Sequence, residues 1–89
     1  MPKYELLEFT TNTKTYIQAG KIEKNPDDLG YHFVNTGSVI CYINNLPLYP
    51  SGVLDTMYAG YKDTSLYQIR FDLTAGTNSE LLVFTYTQK

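Results

Sequence analysis

The segment Ser65-Leu66-Tyr67-Gln68-Ile69-Arg70-Phe71-Asp72-Leu73 decides the fold class of this chain. From Tyr67 to Leu73 every second residue is apolar, and the residues between them are Gln, Arg and Asp. Successive side chains of a strand point to opposite faces, so this alternation is typical of a strand with one buried and one solvated face. The segment therefore predicts an antiparallel sheet that packs on a core.

Similar strand signals recur along the chain, with turn residues between them. No stretch of ten residues carries the apolar spacing of an amphipathic helix. Seven to eight short strands without a βαβ pattern predict an all-β fold, a small antiparallel β-sandwich or flattened barrel of jelly-roll or immunoglobulin-like type. The 89 residues suffice for one core, so we expect residues 1–89 to form a single domain.

Three local features are predicted in the first half of the chain: a bulge, a turn and a hairpin. A change of phase in the first strand predicts a bulge at Leu6-Leu7, and Thr11-Asn12-Thr13 is predicted to turn the chain. Residues 31–35 and 38–43 are predicted to pair as a hairpin, because the Asn-Thr-Gly sequence between them tolerates positive φ.

Other segments differ in where they are expected to lie in a sheet. Asn44-Asn45 predicts a reversal of the chain. Residues 21–24 are predicted as a short exposed strand or a sheet edge. Residues 46–49 are predicted at a sheet edge, because they contain Pro47 and Pro cannot donate to a strand ladder. Residues 80–87 are apolar on both faces and are predicted as a central strand.

Composition and charge exclude several classes of function. The net charge is −2 and the basic residues are scattered, so no row of Lys and Arg is available to neutralise phosphates. The N-terminus has no apolar segment behind a basic one, and no stretch is long and apolar enough to span a membrane. We therefore expect no nucleic-acid partner, no membrane and no signal peptide.

The residues that usually carry chemistry are few. His32 lies alone in a predicted strand, and Cys41 lies in an apolar run where a thiol behaves as a small buried hydrophobe. Asp27-Asp28 lack the spaced acids of a calcium loop and are expected to be solvated, and nothing in the sequence sets the separation of Asp55 and Asp63. We predict no catalytic residue, no metal site and no cofactor. We therefore expect that the protein is not an enzyme.

Nine Tyr and four Phe are a heavy aromatic content for this length. Most of these rings are expected in the core and at its margins, but Tyr also suits contact surfaces, because its ring is apolar and its hydroxyl can stay hydrated. Five tyrosines are interaction candidates: Tyr42, Tyr49, Tyr58, Tyr61 and Tyr67.

One stretch of about twenty residues, 33–52, carries a resemblance. It consists of an aromatic strand, Asn35-Thr36-Gly37, a β-branched strand ending in Ile43-Asn44-Asn45, then Pro47-Leu48 and Pro50-Ser51-Gly52. This sequence pattern resembles one that is common in small β-sandwich accessory virion proteins of tailed bacteriophages. The resemblance does not extend to the first 30 residues or to the C-terminal strand.

The resemblance implies a structural virion subunit, such as a capsid decoration, head-fibre base, or neck or tail component. It implies localisation in the virion after synthesis in the host cytoplasm. The implied partners are other virion proteins, either the major capsid or neck and tail subunits, in a homo-oligomer or many symmetric copies. The tyrosines leave open an alternative, a carbohydrate- or ligand-binding β-sandwich module.

Overall fold

The computed structural model describes residues 9–56, 63–74 and 76–88. Within these ranges the chain forms strands and no helix. The strands are β1 (Phe9–Tyr16), β2 (Gly20–Lys21), β3 (Asp28–Asn35), β4 (Cys41–Ile43), β5 (Leu46–Leu48), β6 (Val53–Asp55), β7 (Gln68–Phe71) and β8 (Leu81–Gln88). The predicted all-β class is confirmed.

The strands form two antiparallel sheets of four. Sheet A has the order β1-β8-β3-β6 and sheet B the order β2-β7-β4-β5. The first strand pairs with the last, the second with the seventh, the third with the sixth and the fourth with the fifth. A long hairpin that folds over on itself in this way is a jelly roll, so strand order decides between the two predicted topologies.

The core lies between the inner faces of the two sheets. Sheet A contributes Tyr31 and Phe33 from β3 together with Leu81 and Val83 from β8, all at most 1% exposed. Sheet B contributes Cys41, Ile43 and Ile69, and Ile22 closes the same cluster. The predicted central position of residues 80–87 is confirmed, because β8 pairs with β1 on one side and β3 on the other.

The predicted hairpin of residues 31–35 with 38–43 is wrong. β3 belongs to sheet A and β4 to sheet B, and residues 36–40 cross between the sheets. The crossing is fixed by a distant segment: the amides of Thr36 and Gly37 donate to the Glu80 carbonyl, and the amide of Ser38 donates to the Asn78 carbonyl. A Cβ on Gly37 would lie 2.6 Å from the Asn78 oxygen. This close approach, and not positive φ, therefore requires glycine there.

The predicted turn at residues 11–13 is also wrong, because β1 runs through it in unbroken register with β8. Thr is a good strand former, and neither Gly nor Pro interrupts the segment. The bulge predicted at Leu6-Leu7 lies outside the described residues. Within the described residues, a register shift occurs between Asp28 and Gly30 of β3.

The reversal at Asn44-Asn45 is confirmed: both residues have positive φ, of 50° and 70°, and they join β4 to β5. β5 lies at the edge of sheet B, as predicted for 46–49, although Leu46 is exposed. The edge predicted at 21–24 starts earlier and is shorter, since β2 is Gly20–Lys21 and Ile22 is buried.

Candidate interaction surfaces

The outer face of sheet A carries a row of apolar side chains. On β8, Leu81 and Val83 point into the core, so Leu82, Phe84 and Tyr86 point outward. The register of β3 with β8 places Val34 beside Leu82. In a sheet that faces water, apolar inner residues usually alternate with polar outer ones along each strand. β8, one of the two central strands of sheet A, instead has apolar residues on its outer side as well.

β6 extends this row, because its Val53 lies opposite Val34 and is 54% exposed. We call Val34, Val53, Leu82, Phe84 and Tyr86 the apolar face; Val53 is exposed and the other four side chains are half-buried. On its β1 side the row meets threonines, because Thr13 pairs with Phe84 and Thr15 with Leu82. The apolar face is therefore a strip along the middle of sheet A with a polar border.

His32 lies on the same outer side, next to Phe84. The two rings meet edge to face with centroids 5.8 Å apart. The Nδ1 atom of His32 is 3.4 Å from Oδ2 of Asp55, near enough for an ion pair if the imidazole is protonated, but the geometry is not that of a hydrogen bond. The imidazole is partly exposed, and its surroundings are a hydrophobic ring and one carboxylate.

The three candidate tyrosines that the structure describes, Tyr42, Tyr49 and Tyr67, do not form one surface. Tyr67 packs between the sheets, with its ring centroid 5.5 Å from that of Tyr31 and 5.3 Å from that of Phe33. Tyr42 lies on the outer face of sheet B, and Tyr49 is exposed after β5. Tyr58 and Tyr61 lie outside the described residues. Tyr67 therefore lies at the core margin with its ring half-buried, and its role as a contact residue stays a prediction.

The Tyr67 hydroxyl donates to Asp63, and this carboxylate also accepts the backbone amide of Ser65. Partial burial alone would raise the pKa of Asp63, but hydrogen bonds from Tyr67, Ser65 and Thr56 outweigh it and lower the pKa to about 2. Burial and the Asp63 hydrogen bond raise the pKa of Tyr67. Asp63 serves the fold, whereas Asp55 faces His32, so the structure gives these two acids different partners.

The outer face of sheet B holds a shallow depression of about 520 Å³. It is lined by Ala19, Gly20, Lys21, Tyr42, Asn44, Asn45, Gln68, Ile69 and Arg70. The Arg70 guanidinium lies over the Tyr42 ring, 4.3 Å from its centroid, as expected for directly opposite residues of β4 and β7. The lining thus offers two cations, an aromatic ring and three side-chain amides, with no acid.

Sequence reasoning missed two buried polar residues at opposite ends of β3. The amide nitrogen of Asn35 donates to the carbonyls of Val39 and Leu48, and its oxygen accepts the Gly37 amide. These bonds tie the crossover to β5. The inward positions of β3 alternate, and Asn35 falls in phase with Phe33, which is the signal that could have identified it.

Asp28 is the second such residue and is 1% exposed, so the expectation that it is solvated is wrong. Its carboxylate accepts hydrogen bonds from the Asn25 amide, the Thr87 hydroxyl and the Tyr31 hydroxyl. Burial raises the pKa of Tyr31, and the adjacent Asp28 charge raises it further, so the phenol stays protonated as a donor. The Asp28 oxygens serve the fold rather than a metal ion.

Cys41 is buried, and burial raises the pKa of its thiol to about 11. It is therefore a core residue, as predicted, and not a thiolate nucleophile. Across residues 9–56, 63–74 and 76–88, no three His, Cys, Asp or Glu side chains cluster as metal ligands would. The same part of the chain contains no helix that could cross a membrane.

Comparison with known proteins adds no identity. No protein family, no curated protein and no solved structure matches the chain. Function has to be argued from the surfaces described above.

Proposed function

We propose that the protein is a structural subunit of a bacteriophage virion, which acts by protein–protein contacts in a symmetric assembly. The observation that carries the proposal is the apolar face of sheet A. The core of a sandwich uses only the inner face of each sheet. Leu82, Phe84 and Val34 lie on the outer face of sheet A and are not part of that core. Extended apolar patches rimmed by polar residues mark contact sites.

Two further observations support this role. Eight-stranded jelly rolls are a common building block of viral shells, because their flat faces and edges can meet neighbours in many ways. The segment that carries the resemblance to accessory virion proteins, residues 33–52, spans the end of β3, the crossover, β4 and β5. A lattice also multiplies weak contacts, so a small face can give durable attachment.

The partner of the apolar face is proposed to be a major capsid, neck or tail subunit. The test is to express the tagged chain with the other genes of the phage that encodes it, purify the particles and count copies by quantitative mass spectrometry. We expect the wild-type chain at a fixed copy number. Exchange of Phe84 for Thr should lower occupancy about tenfold or more, because a central aromatic contact is lost.

Tyr42→Thr is the matched control, since Tyr42 lies on a central strand of the other sheet and also points outward. It should leave the copy number unchanged. Absence of the wild-type chain from particles would refute the virion role. Equal incorporation of Phe84→Thr and wild type would refute the apolar face as the attachment site.

The depression on sheet B favours a second candidate, the binding of an anionic saccharide. Its volume is within the range of ligand sites, roughly 300–1,000 Å³. Lys21 and Arg70 supply positive charge, and Gln68 and Asn45 supply hydrogen-bonding amides. The acid-free lining favours a uronic acid or a sugar phosphate over a neutral sugar, because a charge-assisted hydrogen bond is the stronger contact.

This candidate is tested by titration with glucuronate oligomers and a sugar phosphate, followed by NMR. Signals of β4 and β7 should shift, and Arg70→Gln should weaken binding about tenfold. Phe84→Thr is the control and should bind as wild type does. No shift with either ligand at millimolar concentration would remove the candidate.

A further inference from the structure

β1 differs from the other edge strands of the sandwich. Among the described strands, sheets A and B together have four edges, namely β1, β6, β2 and β5. The last three are two or three residues long, and β5 contains Pro47. β1 has eight residues, and its register with β8 is continuous. Short strands, Pro, bulges and charged side chains are how proteins protect an edge, and of these β1 has only the single charge of Lys14.

β1 is also unusual because its described side chains cover little of the hydrophobic core. Residues 10–15 are all exposed, on both faces of the strand, and among residues 10–16 Tyr16 alone packs against the core. The inner side of β1 borders an open groove of about 290 Å³, on whose other side lie Ile22 and Asp28. Fixing a residue's backbone costs about 1–2 kcal/mol, and this strand recovers little of that through burial.

We propose that β1 pairs antiparallel with β1 of a second copy, about a two-fold axis perpendicular to sheet A. The pairing joins two four-stranded sheets into one continuous sheet of eight. The N–H and C=O groups along the β1 edge, which pair with no strand among the described residues, are then satisfied by the same groups of the partner. The contact is isologous, so the assembly closes as a dimer.

The side chains of β1 suit its own sequence as a partner. An axis perpendicular to the sheet keeps outer faces together, so the outward residues Thr11, Thr13 and Thr15 meet one another. Cross-strand Thr pairs are favourable. Lys14 is the only charged residue of β1, and an axis at Asn12 or Thr13 places it opposite an uncharged inward residue. Thus no like charges oppose each other across the join.

The dimer would change the shape of the apolar face. Because the axis keeps both outer faces on one side, the two apolar faces become parts of a single broad surface, with the β1 threonines between them. A lattice subunit with this surface could contact two neighbouring partners at once. The inference rests on the proposed function for this role, although the dimer itself can be tested separately.

The experiment uses charge exchange on the full chain. One variant carries Thr11→Lys and Thr13→Lys, and a second carries Thr11→Glu and Thr13→Glu. Both positions are exposed, so the variants should fold, which circular dichroism checks. We expect the wild type to be dimeric by sedimentation velocity, and each variant to dissociate with a Kd higher by about tenfold or more. A mixture of the two variants should restore a mixed dimer in native mass spectrometry.

The matched control places the same charges at the β5 edge and on β7, at Leu46 and Gln68, both exposed positions. These variants should remain dimeric. A monomeric wild type at millimolar concentration overturns the inference, as does dissociation of the control pair while the β1 variants stay dimeric. A chain that dimerises through β1 but is absent from particles retains the inference and refutes the proposed function. A chain that enters particles but is monomeric in solution refutes the dimer and retains the proposed function.

Discussion

The two sheets have equivalent inner faces and different outer faces. Both inner faces are apolar and buried, with Phe33 and Leu81 on sheet A and Ile43 and Ile69 on sheet B. The outer face of sheet B carries Lys21, Gln68 and Arg70, whereas that of sheet A carries the apolar face. Folding selects for apolar inner faces in both sheets. The apolar outer face of sheet A, half-buried except for the exposed Val53, is the feature on which the proposed partner contact rests.

The largest expected effect is on the inner face of sheet A. Phe33→Ala should lower the free energy of unfolding by about 3–5 kcal/mol, because the ring is fully buried and its loss leaves a cavity. In a domain whose total stability is on the order of 5–15 kcal/mol, this brings the chain near unfolding. Urea denaturation followed by circular dichroism measures it. Phe33→Leu is the control, with a loss of about 1–2 kcal/mol. A loss below 1 kcal/mol for Phe33→Ala would contradict a common core.

Asn35 tests the connection between the sheets. Asn35→Ala removes the donor to the Val39 and Leu48 carbonyls, which join β3 of sheet A to the crossover and to β5 of sheet B. We expect a loss of about 2–3 kcal/mol, because buried carbonyls are left without a partner. Asn78→Ala, at an exposed position, should change stability by less than about 0.5 kcal/mol. Equal effects of the two changes would mean that Asn35 does not hold the sheets together.

Asp63 connects the sheets in a pH-dependent way. Its amide donates to the carbonyl of Leu29 in β3, and its carboxylate accepts from Tyr67 next to β7. The folded pKa of about 2 lies below the ordinary 3.8, so the folded state binds this proton less tightly than the unfolded state. The stabilisation is complete above about pH 4 and is lost as the pH falls through about 2.

Asp63→Asn should therefore lose on the order of 1 kcal/mol at pH 7, a value reduced for solvent screening, and progressively less below pH 4. Urea unfolding of both proteins at pH 7, 4 and 2.5 measures the difference. Asp72→Asn is a suitable comparison, because Asp72 accepts hydrogen bonds from Thr74 alone among the described side chains. A difference between wild type and Asp63→Asn that stays constant down to pH 2 would rule out the carboxylate as the cause.

The fold class could be predicted because strand alternation is a local property. Residues 65–73 and 80–87 fix which side chains point inward, whatever the pairing. Leu73 is exposed, however, since β7 ends at Phe71. Pairing is not local: whether residues 36–40 turn back or cross to the other sheet is decided by carbonyls of Asn78 and Glu80, some forty positions away.

The candidate surfaces were less predictable from sequence. A tyrosine count does not tell which face a ring occupies, but phase does, and Tyr67 is in phase with the buried Ile69. The apolar face could be derived from the two-sided pattern of residues 80–87 only after β3 and β6 were known to extend it. β1 as an edge depends on topology alone.

The smallest effect on stability is expected on the outer face of sheet A. Phe84→Thr should change the free energy of unfolding by less than about 1 kcal/mol, because Thr suits a strand and the Phe84 ring lies outside the core, in edge contact with His32. The exchange should still raise solubility, measured by light scattering against concentration, since it divides the apolar face. Tyr42→Thr on sheet B should change stability by a similar amount without raising solubility. If Phe84→Thr destabilises the chain as much as Phe33→Ala does, the outer face of sheet A is needed for folding. In that case the contrast between the two sheets is no longer evidence for a partner.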